Sequence, residues 1–202
     1  MPVKLNSSGG GSVTLTTPST ATDYTATFPA NTGNVVTTGS SGVVTTAMLV
    51  SGAITRAVLP TGSILQVVQS SINSTQSTTS TSYVASNLTA SITPTSATSK
   101  IYILLTGGNS WNNTNSGECI VAFYKSVSGG AYSAVFDPAA IRVNPSNATA
   151  IKLGWSVSYL DSPATTSALT YQPYYKVSGG GGTSYFNEGT IYVQLTLFEV
   201  AA

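Results

Sequence analysis

The sequence predicts an all-β protein whose C-terminal part folds as an antiparallel β-sandwich. Eight segments between residues 63 and 202 have the Val, Ile, Leu and Tyr content of strands, and Gly- and Pro-rich turns separate them. Several segments alternate apolar and polar residues, as 191–197 does, which indicates strands with one buried face. No segment has the periodicity of an amphipathic helix. Eight such strands fit a jelly roll best.

The eight predicted strands lie along this C-terminal head. They cover residues 63–69, 82–92, 100–106, 118–127, 131–136, 151–160, 168–177 and 190–200. The polar run 70–81 predicts an exposed loop or an edge hairpin. Within 168–177, Tyr171, Tyr174 and Tyr175 make both faces of the strand aromatic, which suits a subunit interface better than open solvent.

Residues 1–41 form a predicted N-terminal arm. They are rich in Gly, Ser and Thr, with short β-prone pieces at 12–17, 23–28 and 33–36. Because so few large apolar residues cannot make an independent core, the arm must lie against another chain or another copy. The composition favours an attachment device over a flexible tail.

Residues 42–62 form a predicted shaft or neck between the arm and the head at 63–202. Here Gly-x-(Val/Ile)-Thr-x-Ala-x-Leu occurs twice, and the apolar anchors recur every five residues. These anchors are Val44, Leu49, Ile54 and Leu59. The spacing matches neither a helix nor a strand, and two copies have too little apolar surface to fold alone. We therefore expect identical chains to wind around a common axis; a linker with an accidental echo is the alternative.

The composition excludes several classes of protein. Charged residues make up only 6% of the chain and the formal net charge is +1, so no basic patch for nucleic acid is expected. The single cysteine, Cys119, lies in an apolar run and is predicted to be a small buried hydrophobe. No apolar run is long enough for membrane insertion, and residues 1–11 lack the apolar core of an ordinary signal peptide.

The sequence predicts no enzyme. It contains no His, one Cys and six carboxylates, so the usual sets for nucleophilic, acid–base or zinc catalysis are mostly missing. A carboxylate pair for glycoside hydrolysis could come from Glu118, Asp137, Asp161 and Glu188, but their spacing does not bring two together. No catalytic residue, cofactor or metal site is predicted.

Two loops of the head are candidates for recognising a receptor. Residues 107–117 place one Trp among Asn side chains, and residues 179–189 place two aromatic residues beside Asn and Glu. The candidate contact residues are Trp111, Asn112, Asn113, Tyr185, Phe186 and Asn187. Aromatic faces surrounded by amides suit a sugar ring, so a host surface glycan is the expected ligand. The alternative is that Trp111 closes the end of the sandwich and the Asn residues only make turns.

The repeat and the start of the head resemble tailed-bacteriophage fibre proteins. The two repeats 42–49 and 52–59, followed by 62–69, are similar to the shaft repeats and first head strand of that family. Further similar segments are 79–84, 88–94, 99–104 and 196–200, and residues 9–39 resemble segments near the start of such virion proteins. A typical fibre has a much longer shaft than the two repeats present here.

This resemblance implies a homotrimeric structural protein of the virion, assembled in the host cytoplasm, with a jelly-roll head. As a short tail fibre, it would bind other virion proteins of the tail through residues 1–41 and adsorb to the host through its head. As a capsid decoration (cement) or head-fibre protein, the same arm would bind the shell. A secreted adhesin or lectin-like module is a further alternative, which the expected lack of a signal peptide disfavours.

Overall fold

The structure is a computed structural model that describes residues 3–6, 8–10, 12–15, 59–114, 117–136, 153–178 and 181–202. The chain divides into two compact units, Met1–Val50 and Ser51–Ala202. In the first unit, β1 (Val3–Asn6) and β2 (Ser12–Leu15) pair as an antiparallel hairpin. The predicted arm strands at 23–28 and 33–36, the predicted boundary at 41/42 and the neck anchors Val44, Leu49 and Ile54 lie outside the described residues.

Two antiparallel sheets make up the second unit. The first sheet contains β3 (Ile64–Ile72), β4 (Gln76–Thr78), β7 (Lys100–Asn112), β10 (Leu153–Asp161), β12 (Ser184–Asn187) and β13 (Val193–Val200). The second contains β5 (Val84–Ala85), β6 (Ala90–Ile92), β8 (Glu118–Val127), β9 (Ser133–Phe136) and β11 (Leu169–Ser178). Within the described residues the head has no helix. The described part of the chain accordingly contains no helix that could span a membrane.

The order of the strands is that of a jelly roll. β3 and β4 follow one another along one edge, β12 and β13 follow one another along β7, and β5 and β6 follow one another along β11. Counting each such pair as one strand leaves eight strands. The first sheet then has the order 1-8-3-6 and the second the order 2-7-4-5. The predicted all-β sandwich is therefore confirmed.

The core lies between the two sheets and is built from alternate residues of each strand. In β11 the pattern is regular: Leu169, Tyr171, Tyr175 and Val177 are buried in turn. Facing them are Ile101, Ile103 and Leu105 of β7 and Leu195 and Leu197 of β13, all without exposed surface. The predicted period-two alternation thus corresponds to one buried face per strand.

The three tyrosines that predicted a subunit interface separate onto two faces. Tyr171 and Tyr175 point into the core, where they are at most 3% exposed. Tyr174 lies on the outer face and stacks on Tyr124 of β8, with ring centroids 4.1 Å apart. Two of the three aromatic rings are therefore used by the core of a single chain, and only Tyr174 is placed to meet a partner.

Candidate functional site

The two predicted recognition loops lie side by side, and much of each is strand. β7 continues to Asn112, and the second segment contains β12, so that Tyr185 pairs directly with Trp111. Their rings stack with centroids 4.6 Å apart and an interplanar angle of 7°. The sequence placed both residues in candidate contact loops, and their direct contact arises from the pairing of β7 with β12.

Asn112 does not face solvent. It has no exposed surface, and its side-chain Nδ2 donates to Ser184 Oγ at 2.8 Å. Its Oδ1 accepts from the backbone N–H of Thr114 at 2.9 Å, which closes the turn after β7. Both polar atoms of this buried amide thus have partners, as a buried amide needs. Asn112 therefore has the role that the alternative prediction gave it, which is to form a turn.

Phe186 and Asn187 are also fully buried. Phe186 packs against Trp155 and Tyr175, each with ring centroids 5.4 Å from its own. Asn187 Nδ2 donates to the carbonyl oxygen of Ile191 at 2.9 Å, and so holds the turn between β12 and β13. The prediction that these two residues contact a receptor is therefore wrong, because neither is accessible in this fold.

The surface part of the candidate site therefore consists of Trp111, Tyr185 and Asn113. The rings are half-buried, and each has one face covered by the other ring. Asn113 is exposed, and its Oδ1 accepts from the backbone N–H of Thr183 at 2.7 Å. Together the three residues form a rigid aromatic ridge with an amide at its side.

A glycine allows the two segments of this ridge to approach so closely. Gly182 has φ of +85°, and a Cβ at this position would lie 2.6 Å from Asn113 Oδ1 and 2.5 Å from Thr114 Cγ2. Any larger residue would have to push the turn after β7 away, in a backbone conformation that side chains other than glycine rarely adopt. The predicted loop 179–189 thus contains one glycine that packing requires.

The buried cysteine behaves as predicted. Cys119 is fully buried and makes no disulfide. Burial raises the pKa of its thiol to about 11, so that it stays protonated at neutral pH. Among the described residues, no three His, Cys, Asp or Glu side chains are grouped so that they could hold a metal ion.

Two buried carboxylates lie in one row of the first sheet. Of the two, only Asp161 was among the candidate carboxylates named from the sequence. Glu199 of β13 and Asp161 of β10 both pair with Ile101 of β7, one on each side, and Gln66 of β3 continues the row. Ile101 belongs to the core, so the carboxylates also point inward. Their strands are two spacings apart, about 10 Å between backbones.

Asp161 joins the two sheets. Its Oδ2 accepts from Lys125 Nζ of β8 and from the Tyr171 hydroxyl of β11, each at 2.7 Å. Asp161 is on the first sheet and both donors are on the second. The sequence had named Asp161 as one of four carboxylates that could form a hydrolytic pair, and its contact with Lys125 was not foreseen because the two residues belong to different sheets.

Glu199 is held by neutral donors. The backbone N–H and the hydroxyl of Thr95 donate to Oε1, the N–H at 2.6 Å, and Gln66 Nε2 donates to Oε2 at 2.6 Å. Burial raises the pKa of this carboxyl, but the hydrogen bonds from Thr95 and Gln66 outweigh it and hold the pKa below its ordinary value. These partners give both carboxylates a structural role.

Leu59 is the neck anchor that the described residues include. It is 37% exposed and lines a surface cavity of about 350 Å³ together with Leu65, Thr95, Ala201 and Ala202. The cavity lies where the chain enters the sandwich and beside its C-terminus. An apolar side chain of the predicted neck thus borders a partly apolar surface cavity at this end of the head.

The fold and these sites define a jelly-roll head with two buried, hydrogen-bonded carboxylates and an aromatic ridge on its surface. No protein-family model matches the chain, and no curated protein is similar to it.

Proposed function

We propose that this chain is a structural protein of a tailed-phage virion, a short trimeric tail fibre. Residues 1–41 attach it to other virion proteins, residues 42–62 join three copies, and the head adsorbs to the host surface. The observation that carries the proposal is the jelly-roll strand order of a head that directly follows the apolar repeat. This is the arrangement that the resemblance to fibre proteins implies.

The trimer follows from apolar positions that one chain cannot cover. Val44, Leu49, Ile54 and Leu59 recur at five-residue intervals, and the last of them is partly exposed beside the cavity at the start of the head. Burying one such side chain stabilises an assembly by roughly 1.5–3 kcal/mol. Four anchors from each of three chains would therefore supply a large part of the association free energy.

The aromatic ridge is the part of the head best suited to a receptor. Trp111 and Tyr185 are partly exposed and stack on each other, and Asn113 adds an exposed amide. The C–H face of an uncharged sugar can pack on such aromatic rings while its hydroxyls bond to the amide, so a host surface glycan fits the ridge. Charged ligands fit the ridge less well, because none of its three residues is ionisable near neutral pH.

The trimer can be tested by light scattering of the full chain. We expect a mass three times the 20.6 kDa of one chain, and a loss of that mass in Ile54→Asp, which puts a charge at an anchor. Thr46→Asp, in the other copy of the repeat and not at an anchor, is the matched control and should stay trimeric. A stable, folded monomer of the unaltered chain at micromolar concentration would refute the proposal.

The position in the particle separates the tail fibre from its alternative. Gold-labelled antibodies against the head, applied to purified particles that carry this gene, should mark the tail in electron micrographs. Labelling over the shell would replace the tail fibre by a capsid decoration. Particles without any label would show that the protein is not part of the virion.

A further inference from the structure

The outer face of the first sheet carries an apolar row that crosses all of its strands. Val67 of β3, Phe198 of β13, Tyr102 of β7 and Leu160 of β10 are successive register partners. They alternate with core residues, so they point away from the core. Val67 is 54% exposed and Leu160 46% exposed, while the rings of Phe198 and Tyr102 contact each other with centroids 5.9 Å apart.

On one side of this row the surroundings are uncharged, while on the other side the exposed Lys100, paired with Val200, carries a charge. The next two rows on the same face are Gln69, Thr196, Leu104 and Ser158, and then Ser71, Gln194, Thr106 and Ser156. None of these twelve positions carries a charge. These twelve positions offer no electrostatic selection of an ionic partner, and such a depletion of charge is typical of the core of a protein–protein interface.

The outer face of the second sheet is different. There Tyr124 stacks on Tyr174, and Lys176 Nζ lies 4.2 Å from the centre of the Tyr83 ring. Ala122, opposite Tyr174 on that face, is only 1% exposed. The large side chains of the second face therefore cover one another within a single chain, whereas both ends of the row on the first face stay open to solvent.

The chain enters the head next to this row. Of the seven large hydrophobic residues that are exposed in the described part of the chain, four belong to the row or to the stretch leading into it: Leu59, Ile64, Val67 and Leu160. Val67 follows Leu59 by eight residues, so the two lie at most about 28 Å apart. A neck that gathers three chains on one axis therefore brings three copies of this face close to that axis.

We infer that the outer face of the first sheet packs against a second copy of the same chain. This inference rests on the trimer of the proposed function and adds the surface through which its heads meet. The face covers on the order of 300 Å² in projection, less than the roughly 800 Å² per partner that a stable interface buries. It therefore adds to the neck contacts and does not replace them.

Thiol protection in the full chain tests the inference. Leu160→Cys places a reactive thiol in the row, and Val127→Cys, on the second sheet, is a matched control because Val127 is 43% exposed. The native Cys119 is fully buried and adds no fast reaction. We expect maleimide to modify Leu160→Cys at least ten-fold more slowly than Val127→Cys in the native assembly, and both at equal rates in denaturant.

The outcomes separate this inference from the proposed function. If maleimide modifies both variants at equal rates in a native protein that light scattering shows to be trimeric, the inferred packing face is wrong but the trimer is retained. Equal rates in a monomer would overturn both. If Leu160→Cys itself fails to assemble, Val67→Cys at the other end of the row is compared with Val127→Cys instead. We expect the same ten-fold protection, and equal rates would contradict the inference.

Discussion

Asp161 and Glu199 flank the same core residue, Ile101, yet the fold keeps these two carboxylates buried in different ways. Asp161 has a cation, Lys125, as well as the hydroxyl of Tyr171. Glu199 accepts from neutral groups, among them those of Thr95 and Gln66. The first carboxylate is paired by charge, and the second is stabilised by the dipoles of its donors.

The difference teaches what each carboxylate holds together. The donors of Asp161 come from the opposite sheet, so this contact fixes how the two sheets face each other across the sandwich. The donors of Glu199 come from the turn after β6 and from β3, and Gln66 also donates to the carbonyl oxygen of Thr93 at 2.7 Å. Glu199 therefore fixes the end of the head at which Leu59 lies.

The largest effect is expected from removing the charge-paired carboxylate. Asp161→Ala leaves the Lys125 ammonium and the Tyr171 hydroxyl without their acceptor inside the sandwich, which should lower the free energy of unfolding by about 3 kcal/mol. Urea unfolding followed by Tyr and Trp fluorescence measures this change. The double variant Asp161→Ala with Lys125→Met should recover part of the loss. A loss below about 1 kcal/mol would show that Asp161 does not tie the sheets together.

A smaller effect is expected at the carboxylate held by neutral donors. Glu199→Gln keeps the shape but removes the charge, and its NH₂ group must face a donor from either Thr95 or Gln66. We expect a loss of about 2 kcal/mol in urea unfolding. Thr95→Val, which removes the hydroxyl but keeps the backbone N–H, should cost about 1 kcal/mol. If the two losses simply added in the double variant, Glu199 and Thr95 would not act together.

The smallest effect is a change of stability with pH. Because the folded pKa of Glu199 is held below that of the unfolded chain, about 4.3, its contribution is complete above that value and is lost as the pH falls through the folded pKa. The urea midpoints of the unaltered chain and of Glu199→Gln should therefore converge between pH 5 and pH 3. A gap that stays constant over this interval would contradict the hydrogen-bonded carboxylate described here.

The sequence predicted the strands of the head well where alternation is regular. The strand at 118–127 has the predicted bounds, and 168–177 differs from β11 by one residue at each end. Residues 107–108 were predicted to end a strand. Instead, Gly107 and Gly108 have φ of +86° and +70° and lie within β7, where the pairing with β10 shifts register beside Trp155. Glycines at a bulge and glycines at a turn are alike in the sequence.

The receptor candidates show the limit of local patterns most clearly. Trp111 and Tyr185 were chosen because aromatic residues stood among amides, and the fold brings these two rings together. The same pattern also selected Asn112, Phe186 and Asn187, which are buried. An Asn in a surface loop and an Asn that closes a turn from inside have the same neighbours along the chain, so only the packing distinguishes them.

The sequence by itself determined that this protein has an all-β head, because alternation and turn residues are local properties that each segment carries alone. It also determined that Cys119 is buried, since the run around it is apolar. Only the tertiary structure decided that Glu199 and Asp161 share a row, that Trp111 meets Tyr185, and that one outer face keeps an open apolar row. Those facts depend on which distant strands become neighbours, and no single segment carries that information.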